Sequence, residues 1–318
     1  MRRITPLTSA ALFDVAASRR IEQAAAANLP AHTLMRRAGM AVARLAAALA
    51  PDAHCIWIAC GPGNNGGDGF EAAAQLRARG FDVHASFVGD EGRLPVDAPD
   101  ALQRARRAGV PICPEPPVRY DLAVDALLGL GAARAPDGAM ARWLERMYRS
   151  GLPVLSVDLP SGLNADTGAA MFDFGQAGKR HCLSLLTLKP GLFTAHGRDA
   201  AGEVWLDDLG CAPGAEIPAA FLNPQAAGEA RAHATHKGSY GDVAVLGGAP
   251  GMAGAALLAA GAALHAGAGR VFVALLDRSQ PALSPVQPEL MFRDPASIAW
   301  SDLTAVCGCG GGTAVHAL

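Results

Sequence analysis

The sequence has no large excess of charge of either sign, few aromatic residues, no CxxC pair and no HxxxH pair. Lys and Arg number 27 against 29 Asp and Glu, for a net charge of -2 and a pI near 6.5. No overall electrostatic footprint for nucleic acid or anionic lipid results, so any ligand must be recognised locally. Aromatics at 5% leave little to interleave with basic stripes, as RNA binding requires. The seven cysteines are scattered and odd in number, which excludes a disulfide framework or a zinc ribbon and fits a reducing cytoplasm. Without HxxxH spacing, zinc-dependent hydrolysis has no ligand set. Two segments invite a membrane reading. Arg2 and Arg3 precede a weakly apolar stretch, but Asp14 interrupts it. The uncharged run 252–269 is long enough to span a bilayer. Its leucines contribute only about -1 to -2 kcal/mol on the insertion scale, and its glycines and His265 oppose them, so a buried helix is expected.

What the chain does have is length and apolar content: 318 residues at 51% hydrophobic can bury a sizeable core. Apolar and Ala-rich faces at helical spacing predict helices over roughly Thr8 to Ala27 and Pro30 to Leu49. From "HCIWIAC" onward, short apolar runs alternate with helical segments: "EAAAQLRARG", "FDVHASFVG", "DAPDALQRARRAG", "DLAVDALLG", "AMARWLERMYRSG", "PVLSVDLPSG". That alternation predicts a parallel sheet with helices on both faces, and ligands in such sheets sit outside the carboxyl ends of strands. "HCLSLLTL" and "EVWLDD" extend the first domain, expected over 1–212. A Pro-, Ala- and Gly-rich stretch, 213–232, reads as a linker. A second unit, 233–318, has the start of a βαβ arrangement without the rest of its sheet.

The densest local signal is "CGPGNNGGDGF", Cys60 to Phe70. "GPGNNG" has GxGxxG spacing between a strand and a helix, with Asp90 near the end of the next strand, which is the dinucleotide fingerprint. Against it, Asp68 close to the helix start would repel a pyrophosphate. A plain strand-to-helix turn is a further reading. The asparagine carbonyls are also hard oxygen ligands suited to K⁺, Mg²⁺ or Ca²⁺, while the Gly66 and Gly67 amides remain for an anion. "VDALLGLG" and "SVDLPSGLNADTG" each place an Asp at a strand end before a glycine-containing turn. Asp125, Ser161 and Asn65 can thus converge as an oxygen-rich cation site, leaving Asp158 to face substrate.

"LMRRAG", "NNGGDG", "VDALLGLG", "VDLPSG" and "LKPGL", in that order over about residues 8 to 210, resemble the YjeF N-terminal domain family, the NAD(P)H-hydrate epimerases. "HKGSYGDVAVLGGAPGMAGAALLAAGAALHAGAGRV", with "PEL" and "CGCGGG" beyond it, resembles the opening of the ADP-dependent NAD(P)H-hydrate dehydratases, which are ribokinase-like. Together the halves resemble the bifunctional nicotinamide-nucleotide repair enzymes. The implied fold is α/β, a Rossmann-like three-layer α/β/α sandwich followed by an incomplete ribokinase-like α/β unit. The implied substrate site comprises Asn64, Asn65, Gly66, Gly67 and Asp68, the segment Gly129, Leu130, Gly131, Ala132, Ala133, Arg134 and Ala135, and Asp158. The implied metal is K⁺ on Asn65, Asp125 and Ser161. Leu130 departs from the family, which usually has Thr there.

In the second half only Ala255 and Gly310 have counterparts at the early hydrate site. The adenine-nucleotide segment and catalytic Asp of that family fall beyond residue 318. ADP or ATP with Mg²⁺ is therefore implied only for a complete dehydratase domain, and the 318-residue chain is expected to be inert in that reaction.

The family's substrate, NADHX or NADPHX, is hydrated at nicotinamide C6 with the hydroxyl on either face. Inversion there calls for a carboxyl group that donates and then accepts a proton. Asp158 is the expected catalytic residue, because Asp125 as a K⁺ ligand would stay ionised. His181 and His196 are alternatives without supporting context. Non-catalytic relatives of such domains, an RNA-decapping scaffold and a lipoprotein-binding partner, supply a different function class. A small-molecule substrate, no nucleic acid, no membrane and a possible homo-oligomer complete the expectations.

Overall fold

The protein is described by a computed structural model covering residues 1–131, 134–175, 178–225, 230–279 and 283–317. It divides into two compact units, Met1–Ala226 and Ala227–Leu318.

The first unit opens with strands β1 (Arg2–Arg3) and β2 (Ala10–Leu12), then helices α1 (Val15–Ala27) and α2 (Thr33–Leu49). Strand β3 (Ile56–Cys60) leads into α3 (Asn64–Ala78), β4 (Val83–Phe87) into α4 (Ala98–Arg107), and β5 (Ile112–Cys113) precedes β6 (Leu122–Ala126) and α5 (Gly138–Arg149). The unit ends with β7 (Val154–Val157), β8 (Arg180–Leu185), α6 (Gly197–Ala201), β9 (Glu203–Asp207) and β10 (Ala220–Leu222).

One eight-stranded sheet runs in the order β1-β9-β8-β7-β6-β3-β4-β5. Every pairing in it is parallel except β1 with β9. Strand β3 shows why the runs are continuous rather than alternating. Ile56, Ile58 and Cys60 enter the core with α2, α3 and α4, whereas Trp57 and Ala59 enter the opposite core with α5. A strand covered on both faces has no polar side to offer. Helix α5 buries Trp143, Leu144, Met147 and Tyr148, two adjacent pairs one helical turn apart. The fold is thus the expected three-layer α/β/α arrangement.

The chain goes from β3 outward to β4 and β5, then returns to the other side of β3 as β6. The crevice between the carboxyl ends of β3 and β6 is therefore the topological switch point, where open α/β sheets bind ligands.

Three expectations change. The first helix starts at Val15, not near Thr8: Asp14 accepts a hydrogen bond from the Ala17 amide at 2.7 Å as its N-cap. The preceding residues form β2, paired with β10 from over 200 residues later. The segment expected as a linker thus supplies a strand to the first unit. Lastly, the glycine motif is not a loop before the helix but the opening of α3 itself.

The second unit contains β11 (Asp242–Gly247), α7 (Ala253–His265), β12 (Arg270–Leu275), β13 (Met291–Phe292) and β14 (Thr304–Cys307). Its parallel sheet runs β13-β12-β11-β14, with Ala256 and Ala260 of α7 buried against Val245, Val271 and Val273. Within the run considered as a span, α7 has 13 residues, and no helix among the described residues is long and apolar enough to cross a membrane.

Candidate active site

Glycine at the start of α3 is required by contact, not by flexibility. A Cβ on Gly66 would lie 1.9 Å from the Gly61 carbonyl oxygen, and one on Gly69 would lie 2.7 Å from Ala126 Cβ and 2.9 Å from Cys60 Sγ. Gly67 faces Met35, whose Cε would be 2.5 Å from an added Cβ. These absences let α3 settle directly on the ends of β3 and β6. Its first amides have no helical acceptors, but the Gly67 amide is engaged by the Gly63 carbonyl at 3.2 Å. Of the two amides expected to be available, Gly66 alone fits that expectation.

Behind this helix start, Asp125 and Ser161 meet, and Asn65 and Ser161 both reach Leu128. Asp125, fully buried at the end of β6, accepts from the Ser161 hydroxyl at 2.6 Å and the Ser161 amide at 2.9 Å. The Leu127 amide and the Tyr148 hydroxyl, each at 3.3 Å, complete its partners. Burial raises the Asp125 carboxyl, against the lowering effect of these hydrogen bonds. Asn65 donates through Nδ2 to the Leu128 carbonyl at 3.0 Å, which leaves its buried Oδ1 without a partner. The unpartnered Asn65 oxygen and the Asp125–Ser161 pair, linked through their common contacts with Leu128, are hard-oxygen donors. Among the described residues no three His, Cys, Asp or Glu side chains cluster as a metal site, so softer ions have no alternative here.

In front of it lies a cavity of about 510 Å³, within the usual range for small-molecule sites. Asn64, Asn65, Asp68, Gly129, Leu130 and Gly131 line it, as does Asp158. Gly66 and Gly67 are packed beneath this wall, while Arg134 and Ala135 are exposed outside it. Ala132 and Ala133 lie outside the described residues. Leu34, Met35 and Ala38 of α2, with Leu186 and Leu209, give the cavity an apolar side.

Asp158 follows β7 in the left-handed region, at φ 66°. Lys189 holds it there: the fully buried ammonium pairs with Asp158 Oδ1 and also donates to the Leu185 carbonyl at 2.9 Å. The Leu185 amide adds a hydrogen bond to the same carboxylate oxygen at 3.1 Å. Lys189 went unassigned in the sequence although "LKPGL" contains it. A lysine ending the apolar run of β8 was the available signal, since buried lysines are rare unless paired.

Glu22 and Arg19 of α1 also line the cavity, and only the folded chain brings them there. Burial, and then the charge of Asp158, raises the Glu22 carboxyl. Asp68 is raised well above the ordinary range by burial first, then by Asp158, Glu22, Glu71 and Asp97. Asp90 is taken up locally, accepting from the Gly92 amide at 2.9 Å, rather than placed for a ribose. His181 and His196 lie outside the cavity wall. In the second unit, Ala255 and Gly310 come together: a Cβ on Gly310, at φ 62°, would be 2.8 Å from Ala255 Cβ.

The arrangement can bind a polar small molecule against an apolar wall and move protons between carboxyl groups. The bifunctional NAD(P)H-hydrate repair enzyme Nnr of Escherichia coli (strain K12) is 33% identical over 306 residues, covering 90% of this chain and 58% of that one. The enzyme of the same name from Coxiella burnetii is 34% identical over 278 residues, covering 84% and 56%. The chain therefore spans under three-fifths of the length of either relative. A crystal structure of yeast YNL200c superposes with a TM-score of 0.50 at 20% identity, covering 57% of this chain and 82% of that one, which bears on the fold alone. The family described as "YjeF-related protein N-terminus" matches residues 31–191, and the chain belongs to it.

Proposed function

We propose that the first unit is an NAD(P)H-hydrate epimerase, interconverting the R and S forms of NADHX and NADPHX. The carrying observation is the union, at one sheet switch point, of an acid-lined cavity with the buried oxygens of Asp125 and Ser161 and the unpartnered Asn65 Oδ1. K⁺ suits that set, held by Asn65, Asp125 and Ser161, and would supply fixed positive charge for the substrate's phosphate. The apolar side formed by α2 residues receives the nicotinamide ring, and Asp158 faces the reacting carbon. Protonation of the C6 hydroxyl, its loss as water, and addition of water to the other face invert the centre without any net redox change. The protein's part is to position the ring, exclude stray water and handle one proton.

The second unit belongs, in this reading, to a dehydratase domain whose early hydrate site includes Ala255 and Gly310. ADP-dependent dehydration is not assigned to the 318-residue chain. Seven free cysteines fit a cytoplasmic setting.

The test is to mix the chain with S- or R-enriched NADHX and follow the epimer ratio by chromatography, with and without K⁺. Acceleration over the spontaneous rate, enhanced by K⁺, is expected. No acceleration, combined with tight and steeply salt-dependent RNA binding, would instead indicate a binding module.

A further inference from the structure

Resting on that epimerase reading, we propose that Asp68 is a catalytic residue. It acts as the acid that protonates the departing hydroxyl, while Asp158, held by Lys189, acts as the carboxylate that takes a proton from the incoming water.

The two aspartates line one cavity but are built differently. Asp158 Oδ1 receives the Lys189 ammonium and the Leu185 amide. Lys189 is itself fully buried, with its remaining donors on the Leu185 carbonyl and, at 3.3 Å, Ser184 Oγ. Asp158 is thus held in one orientation by an ion pair and a backbone hydrogen bond. The Asp68 side chain has no hydrogen bond or ion pair to any described residue, although its backbone is part of α3. Its Cα is fixed because Gly67 and Gly69 on either side are packed against Met35 and against Ala126 and Cys60. Proton donation therefore requires neither a rotamer trapped by another bond nor a moving backbone.

The charged groups around Asp68 come from every neighbouring wall. Asp158 and Lys189 follow β7 and β8, Glu22 and Arg19 stand on α1, Glu71 lies one turn along α3, and Asp97 precedes α4. Burial and the preponderance of negative charge keep the Asp68 carboxyl protonated to higher pH than an ordinary aspartate. Glu22 is raised too, but Lys189 and Arg19 pull it back. Asp97 is occupied by the His32 imidazole at 2.7 Å.

The step balances. Asp68 O–H gives its proton to the C6 hydroxyl, the C6–O bond breaks with its electron pair leaving in water, and the ring nitrogen lone pair forms the iminium. Water then bonds to C6 on the other face, and the iminium π pair returns to nitrogen. The proton released from that water goes to Asp158 and passes across the cavity to Asp68.

The test compares the wild-type 318-residue chain with Asp68→Asn, Asp68→Glu, Asp158→Asn and Glu22→Gln. Epimer interconversion is followed by chromatography, NADHX affinity by calorimetry, and buried carboxylic acid by infrared difference spectroscopy. Expected are a loss of at least about 100-fold in kcat for Asp68→Asn, affinity within about threefold of wild type, and partial recovery with Asp68→Glu. Wild-type kcat should fall as pH rises through the Asp68 pKa. The infrared band of a protonated carboxylic acid seen in wild type below the Asp68 pKa should vanish in Asp68→Asn. Asp68→Asn turning over at near the wild-type rate, or Glu22→Gln rather than Asp68→Asn removing the band, overturns the assignment. If the wild-type chain does not interconvert the epimers at all, the epimerase reading falls, and the infrared comparison still decides which side chain holds the proton.

Discussion

Asp158 and Lys189 show how far one side chain's chemistry depends on another. Replacing Lys189 by Met leaves a carboxylate buried without its partner, and breaking such a pair typically costs about 3–5 kcal/mol. Thermal or urea denaturation of the Lys189→Met variant should show a loss of that order. Asp158→Asn should abolish R/S interconversion while NADHX still binds, which calorimetry and chromatography can separate. Asp68 gives a prediction of opposite sign for stability. Its carboxyl is raised in the folded protein, so the folded state holds more protons than the unfolded state between the unfolded and folded pKa values. Stability therefore falls as pH rises through that window, and it stays lowered above it. Asp68→Asn should raise the melting temperature on the alkaline side, and a lower melting temperature there would contradict this placement of charge. For the oxygen set, K⁺ should raise the melting temperature of the wild-type chain, with a gain approaching about 2.7 kcal/mol at 100 times its Kd. Asp125→Asn should remove the gain.

At the scale of elements, the start of α3 decides the geometry. Gly66→Ala introduces a Cβ 1.9 Å from the Gly61 carbonyl, a contact with rigid backbone. A cost of about 1–3 kcal/mol is expected from overpacking of this kind, with loss of epimerase turnover. Gly63, whose added Cβ meets nothing within 4 Å, is the control. Gly63→Ala should cost about 1 kcal/mol or less, as measured by denaturant midpoint. These two glycines are indistinguishable in the sequence, which is why "NNGGDG" read as a turn ahead of the helix rather than its first residues. Its composition disfavours helix, and tertiary contact overrides that propensity. The sheet strands, by contrast, were legible because burial on both faces leaves an unbroken apolar run. The pairing of β2 with β10 was not, since each is only three residues long and their partners are remote in the chain. The meeting of Asp125 with Ser161 was legible because strand ends in a parallel sheet must share an edge. The contributions of Glu22 and Arg19 depend on where α1 packs, which no local pattern encodes.

For the whole molecule, each unit has its own core: two large clusters flank the eight-stranded sheet, and separate smaller ones flank the four-stranded sheet. Every residue lining the cavity belongs to the first unit. A polypeptide ending at Ala226 should therefore keep epimerase turnover within about threefold of the full chain, a margin worth about 0.65 kcal/mol in barrier height. Loss of turnover in a soluble, folded fragment would tie the reaction to the second unit.

The crowded glycines of α3 also set where this site can be reshaped. A side chain at Gly66 would meet the Gly61 backbone and one at Gly69 would meet Ala126 and Cys60, so the seat of the helix beneath the pocket tolerates no addition at either position. The facing turn around Leu130 has no such restriction. Selection for a different hydrated cofactor, in nature or in the laboratory, would therefore concentrate its substitutions on that turn and leave the glycine run unchanged.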